Sequence, residues 1–298
     1  MGSFVRCKTF YCSKAGRKGN YIEQDLFLMP TSTPSKKRKK VTAATLADMD
    51  PVQRAKYEEH QKKQQDLNDN RAKRYCKLLA ETNFVEGDYY FHPTYNDESL
   101  PEDFAGAEKL LANYIRRLKR IAKRKGNELK YIAVTELGSV NGRLHHHMII
   151  NASSGLTREE VENAWTYGFC NTKINHDTAA AVGYLLKADR SYKGKRIYKA
   201  SRNLVKPSVS TADSKVSKGK LKDLTTASNV DIKAYFEKLN PGFYVEGLYR
   251  YVPEPEQEEQ DIDEEQAKLW RDGFSYLRVC LRRKADSKSQ KKGARKCC

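Results

Sequence analysis

The chain has 298 residues, with 56 Lys and Arg against 38 Asp and Glu, a formal charge of +18. That excess attracts polyanions, nucleic acid foremost; the length allows one or two domains, and 39% hydrophobic with 32% charged content points to extensive solvated or disordered surface. No run nears the ~20 apolar residues of a membrane span, residues 1–30 lack a signal-peptide core, and seven cysteines without a C-x-x-C pair support neither a disulfide framework nor a cysteine zinc site, so a soluble cytoplasmic protein with no membrane partner is expected.

In chain order, apolar runs at 10–11 and 21–29 flank a Gly-containing turn at 15–20 and predict a small hairpin. A basic linker follows over 30–40, then a polar stretch without helix breakers from 51 to about 79, expected as a long exposed helix. Residues 88–95 read as a strand, with Pro93 confining them to an edge or a strand end. Apolar residues at 110, 111, 114, 115, 118 and 121 predict a helix over 104–125 with Gly126 as its cap, and Arg116, Arg120 and Lys123 on its polar face are candidate phosphate contacts.

Strands at 131–137 and 143–151 flank Val140-Asn141-Gly142-Arg143, which predicts a hairpin turning on Asn141 and Gly142. Thr157 and Glu160 form a capping box for a helix through Trp165, and Asp177 caps another through Ala188. Residues 208–230 are rich in Ser, Thr and Lys and are expected as loop; 240–251 offers a strand, 254–265 is acidic, 266–284 is expected as helix, and 282–296 is a basic tail. The pattern predicts an α+β fold, an antiparallel sheet with packed helices plus helical and basic appendages. Its expected division is 1–80 (hairpin, linker and polar helix), 81–207 (core) and 208–298 (extension with acidic block and basic tail).

Along a strand, side chains alternate, so His145 and His147 share one face and His146 points to the other. With a two-residue turn, Glu136 lies across from His147 and Gly138 across from His145. Two imidazoles and a carboxylate with open positions suit Mn2+, Mg2+ or a related ion; zinc is the rival, though the helical H-E-x-x-H pattern is absent. A register slip of one residue would pair Glu136 with His146 instead.

On the 177–188 helix, Val182 and Leu186 lie about 160° from Tyr184, and Lys187 sits about 60° away on the other side. A phenol of pKa ~10 needs a metal-bound phosphate or a nearby cation to act as nucleophile, and Lys187 is expected to neutralise developing phosphate charge. A packing tyrosine is the competing reading; what favours a nucleophile is the histidine hairpin upstream.

Gly142-Arg143-Leu144-His145-His146-His147-Met148-Ile149-Ile150 resembles the histidine-hydrophobe-histidine strand of the HUH endonucleases, with His146 in the hydrophobe's place. In matching order stand Asn83-Phe84 to Thr94-Tyr95, Val134-Thr135-Glu136, Trp165 with Gly168, Tyr184 with Lys187, and Lys195-Arg196-Ile197-Tyr198 to Ser201-Arg202-Asn203-Leu204. The ordered set, over about residues 65–207, is similar to rolling-circle replication-associated proteins of Gram-positive bacterial plasmids, phages and integrated elements.

The resemblance implies an HUH-type nuclease core in a bacterial, nucleoid-associated protein. Glu136, His145 and His147 would hold the ion, Tyr184 would form a 5′-phosphotyrosine, and Lys187 would assist it. Arg143, Lys195, Arg196 and Arg202 join Arg116, Arg120 and Lys123 as expected DNA contacts. Single-stranded DNA or an origin hairpin is the implied substrate. A host helicase and DNA polymerase are the implied partners, since the chain has no G-x-x-x-x-G-K-[ST] loop. His92-Pro93 departs from the usually aliphatic early strand. Ala188 stands where a paired-tyrosine subgroup has its second tyrosine, leaving Tyr192 or a second subunit for termination. A relaxase or transposase of the same chemistry and a non-catalytic nucleic-acid-binding protein are the alternative readings.

Overall fold

A computed structural model describes residues 2–13, 19–31, 45–46, 48–138, 142–186, 196–251 and 276–284, with the backbone alone at 30, 179, 184 and 251. The main elements begin with β1 (Ser3–Cys12), β2 (Tyr21–Pro30), α1 (Pro51–Asn83), β3 (Tyr89–Pro93), α2 (Phe104–Arg124), β4 (Tyr131–Leu137), β5 (Leu144–Ile150) and α3 (Arg158–Asn163). They continue with β6 (Cys170–Ile174), α4 (Thr178–Leu186), β7 (Lys199–Ala200), β8 (Ser208–Asp213), α5 (Lys218–Thr226), α6 (Asn229–Leu239), β9 (Phe243–Tyr251) and β10 (Tyr276–Arg283). The fold is α+β, with two antiparallel five-stranded sheets. No helix among the described residues is long and apolar enough to cross a membrane.

The chain forms two compact units, Met1–Lys39 with Pro207–Cys298, and Lys40–Lys206. This grouping differs from a division at 80 and 207, because β2 of the N-terminal hairpin pairs with β10 near the other end of the chain. The first unit's sheet runs β8-β1-β2-β10-β9. Residues 208–230, expected as loop, instead supply β8 and α5 and begin α6. Ser217 and Ser228 cap the two helices, whose Leu221, Leu224, Ile232 and Phe236 pack with Val5, Ile22, Leu26 and Val279. Residues 276–283, expected within a helix, form β10, since Leu277, Val279 and Leu281 alternate into that core. The acidic block at 254–265 and the tail from 285 lie outside the described residues.

In the second unit the sheet order is β6-β3-β5-β4-β7, with β5 at its centre. One face, through Phe91, Ala133, Met148 and Ile150, packs on Leu111, Tyr114 and Leu118 of α2 and on Trp165. The other face, through Ile132, Val134 and Ile149, packs on Cys76, Leu79 and Ala80 at the end of α1, on Phe84, and on Val182 and Leu185 of α4. α2 follows its predicted period, and Gly126 takes φ +73° beyond its last turn. α1, capped by Asp50, is buried only from Cys76 onward, as its polar sequence requires. α3 has the predicted capping box but ends at Asn163, short of the expected Trp165, whose indole N–H instead donates to the Thr94 carbonyl at 3.0 Å.

The β4–β5 register corrects the two-residue turn. Glu136 lies across from His145 and Val134 from His147, two residues from the expected pairing. The Gly138 N–H donates to the Arg143 carbonyl at 2.8 Å, so the loop opens four residues wide. An even shift leaves every side chain on its original face, whereas an odd one would have exchanged them.

The turn before β6 is fixed by Gly168, at φ +146°. A Cβ there would come 2.3 Å from the backbone nitrogen of Asn96, which donates to the Tyr167 carbonyl at 2.9 Å. Gly168→Ala is expected to lower stability by about 2 kcal/mol or more. Urea unfolding checks this, and an unchanged midpoint would contradict the tight turn.

Candidate metal and nucleic-acid site

The central strand β5 carries the chemistry. His145 and His147 project from the face covered by α1 and α4, flanked by Glu136 on β4 and by His92 on β3. One Glu136 oxygen, Oε1, lies 2.8 Å from His145 Nε2 and 2.5 Å from His147 Nε2, and the two Nε2 atoms are 3.1 Å apart. His145 Nδ1–H donates to the Arg143 carbonyl at 3.2 Å, and the Tyr90 hydroxyl lies 2.7 Å from His147 Nδ1. Partners on the far ring nitrogens orient imidazoles toward a shared point, as metal-binding histidines require.

His92 is the residue that the sequence pattern did not flag. Its ring stacks on His147 with centroids 4.3 Å apart, and nitrogens of His92, His145 and His147 lie within 4.8 Å of one another. His92 Nε2 and Glu136 Oε2 are buried without a hydrogen-bond partner among the described residues. Orphaned donor atoms around a nitrogen–oxygen cluster fit a divalent cation. Burial, with repulsion from His147 and His145, brings the His92 imidazole down to about 4. Burial also opposes ionisation of Glu136, yet hydrogen bonds from His145 and His147 bring it to about 2. Burial likewise opposes the charged form of His145, but Glu136 and the Arg143 carbonyl raise it above the ordinary imidazole range.

α4 closes the same face. Asp177 Oδ1 accepts from Ala180 N–H at 3.1 Å at its start. Among its described side chains Val182 and Leu185 are buried and Leu186 is partly buried, so the apolar stripe includes Leu185 as well as the predicted pair. Ala180 and Ala181 line a cleft of about 380 Å³ with Tyr90, His92, Asn171 and Lys173. Position 184 lies one helical turn beyond Ala180 and Ala181, on their side of α4. Lys187, Tyr192 and Lys195 fall outside the described residues.

The expected DNA contacts of α2 lie on the face of the sheet away from the cluster. Arg116, Arg120 and Lys123 belong to α2, which packs on the opposite face of the sheet. Arg116 and Arg120 line a separate cleft there with Asn113, Arg117, Lys119 and Tyr167. Arg143 donates to Asp97 Oδ1 at 2.6 Å and to the Tyr95 carbonyl at 3.0 Å, fastening the hairpin to the segment after β3. Arg196 and Arg202 are exposed.

Residues 90–189 match the family model described as Replication-associated protein ORF2/G2P, a stretch that contains the whole histidine–carboxylate cluster and position 184. No curated protein and no solved structure matches the chain. The family match supports a role in replication.

His146, between the two cluster histidines, points into the α2-side core and is fully buried. Thr135 Oγ1 donates to Glu108 Oε1 at 2.8 Å, which leaves it to accept from His146 Nδ1–H at 2.9 Å. His146 Nε2 then accepts from the Tyr95 hydroxyl at 2.5 Å. Burial, aided by repulsion from His145 and His147, holds this imidazole down to about 3. The unfolded chain binds that proton near the ordinary value of ~6.5 and the folded chain does not, so stability falls as pH drops from ~6.5 toward 3. His146→Leu should give a shallower loss between pH 7 and pH 5 in urea unfolding with chelator present; an identical slope would contradict a neutral buried His146.

Proposed function

We propose that the chain initiates rolling-circle replication as a divalent-metal-dependent enzyme that nicks and rejoins single-stranded DNA at an origin. The observation that carries this reading is the convergence of Glu136, His145 and His147 on one sheet face, inside the stretch that matches a replication-associated family. Glu136, His145 and His147 would hold the ion, Mn2+ or Mg2+, with His92 as the nearest further donor. Such an ion, when bound, acts as a Lewis acid on a phosphate oxygen.

Tyr184 is the nucleophile in this reading. It stands on the small-residue side of α4, whose Ala180 and Ala181 border the cleft beside His92. Its phenolic oxygen, as the proton leaves, forms a bond to phosphorus while the bond to the 3′ oxygen breaks. The 3′ oxygen gains a proton and is free to prime synthesis, and the 5′ phosphate remains on Tyr184. Because the ester conserves bond energy, the reverse step rejoins strands without ATP. Lys187, three residues on, would offset the charge building on the phosphate. A helicase and a polymerase of the host would extend the primed end.

In a nicking assay on single-stranded DNA with Mn2+, Tyr184→Phe should abolish the covalent protein–DNA adduct while leaving binding nearly unchanged. His147→Ala should slow nicking on the order of a thousandfold or more. Acidification below neutral should weaken activity and added Mn2+ should restore it, since protons compete for the imidazoles. An adduct that persists in Tyr184→Phe would overturn the assignment.

A further inference from the structure

The edge strand β6 turns alternate residues to opposite faces of the sheet. Cys170 packs against the aromatic core on the α2 side and Thr172 is buried, while Asn171 and Lys173 are exposed and line the cleft beside Tyr90 and His92. Carried one residue back from the start of β6, the same alternation puts Phe169 on the side of Asn171. Phe169 is 78% exposed, more than any other large apolar side chain among the described residues. Its backbone is nonetheless held firmly, with the Thr94 N–H donating to its carbonyl at 2.7 Å and Gly168 preceding it in a conformation that only glycine adopts easily. A rigid backbone thus displays an uncovered aromatic ring.

On the other side of Gly168, the Tyr167 ring lies 4.9 Å from the Arg117 guanidinium in the α2 cleft of about 630 Å³. Arg117 Nε and Nη2 are buried there without a hydrogen-bond partner among the described residues, while Arg116, Lys119 and Arg120 line the same cleft. Each side of the same sheet edge therefore carries an aromatic ring and basic side chains.

We infer that the rim of β6 is the track for the unpaired DNA strand: a base stacks on Phe169, Lys173 takes a phosphate farther along on the cluster side, and the α2 cleft takes the backbone that continues past the edge. This deepens the proposed nicking reading and rests on it for the direction of the strand toward the cluster. It also gives Arg116 and Arg120 a role that their distance from the cluster face otherwise denies them. Single-stranded DNA is the occupant, because a base can stack on an exposed ring beside basic side chains only when it is itself unstacked, which an intact duplex does not allow.

Anisotropy of a labelled oligo(dT) with the full chain, in chelator, reads binding without chemistry. Phe169→Ala should weaken single-strand binding by roughly tenfold with an unchanged unfolding midpoint, and leave binding of a duplex unaltered. Phe169→Trp should retain affinity, and its added fluorescence should be quenched by the oligonucleotide. Lys173→Ala and Arg116→Ala should each lower the slope of log affinity against log salt by about 0.7. Wild-type affinity in Phe169→Ala, or an equal loss on duplex, would overturn the track. Absence of nicking with Mn2+ would remove the proposed activity and leave this binding result standing, so the two failures are distinguishable.

Discussion

A single carboxylate oxygen bridging two imidazoles is the contact on which the rest of the second unit depends. Glu136 Oε1 reaches both His145 Nε2 and His147 Nε2 from a side chain only 14% exposed, and His147 is 1% exposed. An anion at that depth costs free energy unless positive charge meets it. Two sources of positive charge are possible, protons on the histidines or a cation between them. The carboxylate's fall to about 2 and the upward shift of His145 express that demand in the first form. Buried donor atoms at His92 and Glu136 without partners among the described residues express it in the second.

The sheet divides its labour by alternation. Along β5, His145 and His147 face α1 and α4, while His146 and Met148 face α2. His146 occupies a core position as a neutral hydrogen-bonded imidazole, tied to Tyr95 and, through Thr135, to Glu108. A strand with three consecutive histidines thereby serves both a polar cluster and a packed core. The same alternation on β6 gives the cleft its Asn171 and Lys173 and gives the α2-side core its Cys170.

Local periodicity made much of this legible in the amino-acid sequence. The amphipathic repeat of α2, the capping box of α3 and the shared face of Glu136, His145 and His147 all follow from spacing alone. The register did not, because the Asn141-Gly142 signal for a tight turn competes with a wider loop closed between Gly138 and Arg143. Face assignment survived because the difference was even. His92 was invisible as a cluster member: only the pairing of β3 with β5 brings it level with His147, and that contact is long-range. α5 and α6 were hidden by lysine- and threonine-rich composition, their burial resting on a few residues such as Leu221 and Phe236. β10 needed β2, more than two hundred residues earlier, to reveal it as a strand. The cationic residues on α2 were legible as a polar face, but which side of the sheet they would occupy was not.

Calorimetric titration of Mn2+ into the metal-free full chain tests the cation site most directly. Binding of one ion per chain with release of protons, lost in Glu136→Ala, is the predicted result. An unchanged titration in Glu136→Ala, or no heat of binding in the parent chain, would contradict it.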